Sequence, residues 1–295
     1  MQKLNLFYKL IFFFFISQFI FSQKQFKPQK FKNPKIILDG KISSDEWINA
    51  IQVELNFEIN PGNNTPAQKK TIGFITYSDT NLYVAIHAFD NPENVRASVR
   101  SRDDFNMYMQ DDIVNVSFDT YADGRNNYIL LANPFGSQFD VRAINALTDE
   151  QRYDGSFNMD FETAGSIVAD GFQVEFKIPF SSLPFPNGKD QKWHFNIGRK
   201  YFNEKNVEVQ VQSQTFDRNN PCEVCQTTQI LILDDITIER RVELLPYVAG
   251  NFSGKKPSKN ASIDYDLLKP NAGLGLNLDL SKNSGLEITL NPDFS

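Results

Sequence analysis

From Ile36 onward, apolar and polar residues alternate with a period of two. Phe172, Val174, Phe176 and Ile178 are interleaved with Gln173, Glu175 and Lys177, which puts one face in a core and the other in water. Leu55, Phe57 and Ile59 repeat the pattern, as do Val114, Val116 and Phe118 against Asn115, Ser117 and Asp119. Phe74–Tyr77 and Leu82–Phe89 read as a hairpin across the polar Ser78-Asp-Thr-Asn81. Tyr128–Ala132, Trp193–Arg199, Val207–Gln212 and Ile230–Leu233 continue the series. Asp123-Gly124, Asn133-Pro134, Asp170-Gly171 and Pro186-Asn-Gly188 punctuate it as turns. Only Asp45–Ile51 and Ala143–Gln151 read as helical. Short strands, regular turns and little helix predict an all-β chain, with a β-sandwich over residues 36–240.

The pattern changes character over residues 241–295. Strand-like runs cover Leu244–Val248, Ile263–Leu268, Ala272–Leu280 and Leu286–Leu290. In Ala272–Leu280 one face is all leucine and the other is Gly, Gly, Asn and Asp, the pairing expected where lipid meets one side and a wet lumen the other. These residues therefore read as the first strands of an outer-membrane β-barrel. Closure needs at least about eight strands, so the expectation is an incomplete barrel in a truncated chain. The competing reading is a soluble edge hairpin.

At the other end, Lys3 and Lys9 precede the apolar run Leu10–Phe21, which stops at Ser22-Gln23-Lys24. That is the form of a secretory signal over residues 1–22, shorter than the roughly 20 apolar residues of a spanning anchor. A linker is expected over 23–35. Export makes a local disulfide the simplest reading of Cys222-Glu-Val-Cys225. A turn signature, Asn219-Asn-Pro221, stands where a redox motif would follow a strand.

Composition narrows the chemistry. The 295 residues carry a formal charge of −6, which argues against a nucleic-acid partner. Two His argue against a multi-histidine metal enzyme. Asp111, Asp112 and Asp119 head an acidic region whose hard oxygen ligands suit calcium, although no EF-hand loop is present; no other cofactor is indicated. A haem sandwich of the DOMON type would draw on His87 with Met107 or Met109. A glycosidase would need two carboxylates about 5–10 Å apart in a cleft, and no pair stands out among 36 acids.

Ile37-Leu-Asp-Gly-Lys-Ile-Ser-Ser-Asp-Glu-Trp47 resembles the start of family 9 carbohydrate-binding modules. More closely it resembles DOMON-like modules joined to a β-barrel in Bacteroidetes outer-membrane proteins, the DUF5916 family. The likeness continues through Asp111–Thr120, Asp123–Arg125, Asn133–Gly136, Gly171–Phe180, Trp193–Asn196 with Arg199 and Glu204, Leu244–Val248 and Leu290–Ser295. It implies a jelly-roll-like sandwich that binds sugar, held in the periplasm or at the surface by an outer-membrane barrel and serving carbohydrate catabolism or uptake. Relatives carry tryptophans near Asp160-Phe-Glu162 and after Glu204. This chain has Phe161 and Val207-Glu-Val-Gln210 there, a departure from the family's tryptophan-faced clamp.

The candidate ligand residues are Tyr121, Tyr128 and Tyr153 as a stacking platform, Trp193, and the polar His194, Asn196 and Arg199. Trp47 is expected in the core with its N–H on a backbone acceptor, and the face Trp193 shares with Phe195 and Ile197 also favours burial. The expected function is non-catalytic carbohydrate binding. The alternatives are a glycoside hydrolase or hydrolase component and a structural cap of the barrel.

Overall fold

The alternating segments pair into two facing, mainly antiparallel sheets in the computed structural model, which describes residues 23–32, 36–145, 151–236, 242–259, 262–281 and 284–291. The expected signal, 1–22, lies outside the described residues. In chain order the sandwich strands are β1 (Gln25–Phe26), β2 (Ile51–Glu54), β3 (Phe57–Asn60), β4 (Thr65–Pro66) and β5 (Thr71–Tyr77). They continue with β6 (Asn81–Phe89), β7 (Ile113–Asp119), β8 (Asn126–Ala132), β9 (Gln138–Ile144) and β10 (Tyr153–Asp154). The last are β11 (Glu162–Val168), β12 (Gly171–Pro179), β13 (Gln191–Phe202), β14 (Glu208–Gln212) and β15 (Gln229–Leu233).

The larger sheet runs β10-β9-β8-β7-β13-β14-β3-β4, and β15 joins β13 to β1. The smaller sheet runs β11-β12-β6-β5-β2. The long β13 makes this possible: its first half pairs with β15, its second with β14, and its other edge with β7. Between the sheets lie the inward positions that the period of two predicts, among them Val114, Val116 and Phe118 of β7, Phe172, Val174 and Phe176 of β12, and Trp193, Phe195 and Ile197 of β13.

The Ile37–Trp47 motif folds across the outer face of the smaller sheet. Asp39 and Gly40 donate backbone N–H groups to Glu175 Oε2 (3.0 and 2.8 Å), and Trp47 Nε1 donates to Glu175 Oε1 (3.1 Å). The indole thus finds a carboxylate rather than the expected backbone acceptor. Burial pushes the Glu175 carboxyl up, and the N–H donors only partly offset it.

Local structure departs from expectation at several points. The first helix, α1, spans only Ser44–Trp47. Ala143 and Ile144 end β9 instead of starting a helix, because they continue its pairing with Asn126 and Asn127; 146–150 lie outside the described residues. An unforeseen helix, α2 (Phe105–Gln110), starts where Asp104 Oδ1 accepts the Asn106 N–H (2.9 Å). The segment read as a linker is built into the sandwich: β1 pairs in parallel with β15, and the Phe26 ring packs edge-on against Phe195 at 5.2 Å.

Residues 242–290 form separate sheets. β16 (Val242–Asn251), β17 (Gly254–Lys255), β18 (Asp264–Tyr265), β19 (Lys269–Ser281) and β20 (Ser284–Leu290) follow in order. β16, β19 and β20 make an antiparallel sheet and β17 and β18 a short ladder, so only Asp264–Tyr265 of the expected Ile263–Leu268 run is strand. The register aligns Leu244, Leu276 and Ile288 across one face, flanked by Val242, Leu278 and Leu286. No closed barrel is present among the described residues.

Candidate functional site

The face of the larger sheet turned away from the core is where the strand alternation leaves its polar residues. Asn115 and Ser117 of β7, Asn127 and Ile129 of β8, Asn196 and Gly198 of β13, and Gln212 of β14 line a groove there. Helix α2 walls one end, because Met107 is buried against Ile113, Leu131 and Phe139. That fixes Phe105 and Tyr108 at the rim. The loop closed by the Cys222–Cys225 disulfide (Cα–Cα 5.4 Å) walls the other, contributing Glu223 and Val224.

The groove has two adjoining parts that share Asn115, Ile129, Tyr153 and Gln212. The part beneath α2 encloses about 450 Å³ and is lined by Tyr108, Ile113, Leu131, Phe139 and Val141. The part beside the disulfide loop encloses about 120 Å³ and is lined by Ser117, Asn127, Asn196, Gln214, Gln226 and Thr227. Gly198 lets the Asn115 amide lie on the floor of the first part, since a Cβ there would fall 2.5 Å from Asn115 Oδ1 and push the amide aside.

Most groups around the groove are committed. Lys200 donates to the Tyr108 carbonyl and lies over the Tyr108 ring at 5.1 Å, and burial pushes its amine down. The Tyr153 hydroxyl donates to Glu223, whose other oxygen lies 3.0 Å from Arg152 Nη1. Burial, followed by that carboxylate, drives the Tyr153 phenol up. Ser213 Oγ lies 2.9 Å from Asn196 Oδ1. Asn127 differs: it is 7% exposed, and its buried Oδ1 has no hydrogen-bond partner. A buried acceptor in that state costs about 1–3 kcal/mol until something donates to it.

Of the ligand residues expected from sequence, Tyr153 and Asn196 border this groove. Tyr121 is exposed on the turn after β7, where its N–H donates to Asp119 Oδ1 (3.2 Å). Tyr128 faces the core and packs on Phe157 at 5.4 Å. Trp193 is fully buried among Phe118, Phe180 and Phe185, so its faces meet rings rather than ligand. His194 shares the outward face but lies with Nδ1 3.6 Å from Asp119 Oδ2. Arg199 points into the core, donating from Nη2 to Asp90 Oδ2 (2.6 Å) and from Nη1 to the Phe89 carbonyl (3.0 Å). It pins the two sheets together.

The calcium set does not assemble. Asp111 and Asp112 flank the start of β7 and Asp119 ends it, so roughly 20 Å of strand separates them. Asp111 is held by Arg100 (3.1 Å) and Asn133 (2.9 Å), Asp112 by the N–H groups of Arg96 and Phe202, and Asp119 by the Gly124 N–H (2.8 Å). No group of three or more His, Cys, Asp or Glu suited to a metal occurs among the described residues. His87 and Met107 belong to opposite outer faces of the sandwich, so they cannot share an iron.

Sequence reasoning passed over Asn115, Ser117, Asn127 and Gln212. A signal was there: Asn115 and Ser117 of β7, Asn127 of β8 and Gln210 and Gln212 of β14 put amides and a hydroxyl at outward positions. Amides offer directional hydrogen bonds without charge.

No family model and no curated protein matches the chain. Among solved structures, it resembles a family 9 carbohydrate-binding module of Caldicellulosiruptor kristjanssonii in complex with cellotriose, with a TM-score of 0.50 and 17% identity over 72% of this chain and 95% of that one. A protein of Bacteroides uniformis described as a candidate carbohydrate-binding protein gives a TM-score of 0.54 and 11% identity over 72% of this chain and 99% of that one. At these identities the likeness shows the fold: an all-β sandwich of the kind found in family 9 modules.

Proposed function

We propose that this protein binds carbohydrate in the groove on the outer face of its larger sheet, without cleaving it, and that the leucine-faced sheet tethers it to an outer membrane. The observation that carries the binding site is Asn127 Oδ1, a buried, unpartnered acceptor in a hollow lined by amides and hydroxyls. A sugar hydroxyl is the donor this site lacks. The likeness in fold to a module held with cellotriose adds support. Hydrolysis has less behind it: the described lining holds a single carboxylate, Glu223, already engaged by Arg152 and Tyr153, where two are needed.

The tether rests on register. Val242, Leu244 and Val248 on β16, and Leu286, Ile288 and Leu290 on β20, share one exposed aliphatic face. Val242 to Val248 covers roughly 20 Å, close to the ~25 Å apolar band of a barrel. The sheet would be one arc of a larger barrel, in line with the motif order that resembles the DUF5916 proteins. The sandwich would then stand in the periplasm or at the surface and serve carbohydrate uptake or catabolism.

Calorimetric titration of the full chain with cellotriose and a glycan panel tests the site. Asn127→Leu is expected to weaken the best glycan at least tenfold, Tyr153→Ala severalfold, and Tyr121→Ala not at all. Unchanged affinity in both groove variants, or a panel without a single binder, overturns the assignment.

A further inference from the structure

The two parts of the groove differ in chemistry more than a plain oligosaccharide requires. Beside the disulfide loop the lining offers Ser117, Asn127, Asn196 and Gln226. Beneath α2 it offers Ile113, Leu131, Phe139 and Val141, and the Lys200 ammonium is spent on the Tyr108 carbonyl. The apolar part is the larger, about 450 Å³ against about 120 Å³. A second pyranose seated there would reach amides only at Asn115, Gln210 and Gln212 and would bury its other hydroxyls against apolar side chains, a cost that opposes binding. An alkyl or acyl chain would instead leave water at no polar expense.

We infer that the ligand is an amphiphile: a sugar in the amide-lined hollow, carrying an apolar substituent that lies beneath α2. This rests on the carbohydrate reading of the same groove and adds the chemical class of the aglycone. Asn127 Oδ1, buried and unpartnered, fixes the sugar end. Ile129 and Tyr153, which border both parts, mark the junction where the glycosidic or ester oxygen would sit.

A homologous series measures the apolar part. The full chain, freed of detergent, is titrated with methyl, butyl, hexyl and octyl β-glucoside below their micelle concentrations, with phenyl β-glucoside and hexanol alongside. Each added methylene is expected to tighten binding about two- to fourfold until the cavity is filled. Phe105→Ala and Val141→Asp should flatten that gain and leave methyl glucoside unchanged, whereas Asn127→Leu should weaken every glucoside equally. Phenyl glucoside matching hexyl would assign an aryl rather than an alkyl substituent. Equal affinity for methyl and octyl glucoside overturns the amphiphile and leaves the carbohydrate site standing. Hexanol binding as tightly as hexyl glucoside overturns the carbohydrate reading, and silence from every probe overturns both.

Discussion

Asp112 sits at the start of β7, 1% exposed, with its oxygens on the N–H groups of Arg96 and Phe202. Burial pushes its carboxyl up to about 6, against the pull of the Arg199 charge and those N–H groups. The folded value lies above the unfolded one, so the folded chain holds this proton more tightly. The contribution is complete below the unfolded value of 3.8 and is lost as pH rises through about 6. The full span is about 3 kcal/mol at most. Thermal melts from pH 4 to 8 should therefore show the wild type falling relative to Asp112→Asn as pH rises, with the gap levelling above pH 7. Arg199 carries the same lesson about residues. As a type it suits a ligand clamp, yet here it is a core cation, stacked at 4.6 Å over Tyr201 and paired with Asp90. The chain gives its strand face, but the partner comes from β6 and the loop after it, far away in sequence.

At the scale of elements, strands such as β7, β12 and β13 were legible because each buries one face, and a period of two survives in any single run of residues; β2, β9 and β11 were not, and β11 has no buried residue to mark it. Helix α2 was not legible either. It is six residues long and held by one buried methionine over Ile113, Leu131 and Phe139, so no repeating apolar stripe marks it. The Cys222–Cys225 loop was visible as a staple, but its role as a groove wall depends on packing: Cys225 Sγ approaches the Gly124 carbonyl at 3.8 Å, and Glu223 is tied to Arg152. Replacing both cysteines by serine should lower stability by up to about 2 kcal/mol, the loop-entropy value for so short a ring. Hydrogen exchange should speed up locally over 222–227, and groove affinity should weaken with it. Urea melts and exchange measured on one preparation check both effects.

For the whole molecule, the decisive contrast is between two sheet faces that share a period of two. In the sandwich the apolar face is covered by a second sheet. Across β16, β19 and β20 it is exposed, with Leu244 at 59% and Leu290 at 59%. A lysine at the centre of a lipid-facing strand costs about 2–4 kcal/mol. Leu276→Lys, which sits between Leu244 and Ile288, should therefore reduce recovery of the full chain in the outer-membrane fraction. Asn277→Lys, one residue on and facing the other way, should leave it unchanged. Equal recovery of the two variants would remove lipid as the cover for this face.

The chain by itself determined which residues alternate, and hence an all-β fold, where its turns fall and which face of each strand is apolar. Those properties are set by neighbours two residues apart. Only the tertiary structure decided that Arg199 belongs to the core, that Asp111 and Asp112 lie too far from Asp119, at opposite ends of β7, to hold one ion, and that amides from β7, β8, β13 and β14 converge with α2 and a disulfide loop around a two-part groove. Strand order and the covering of one face by a distant segment fix those outcomes, and neither is written in the local period of the chain.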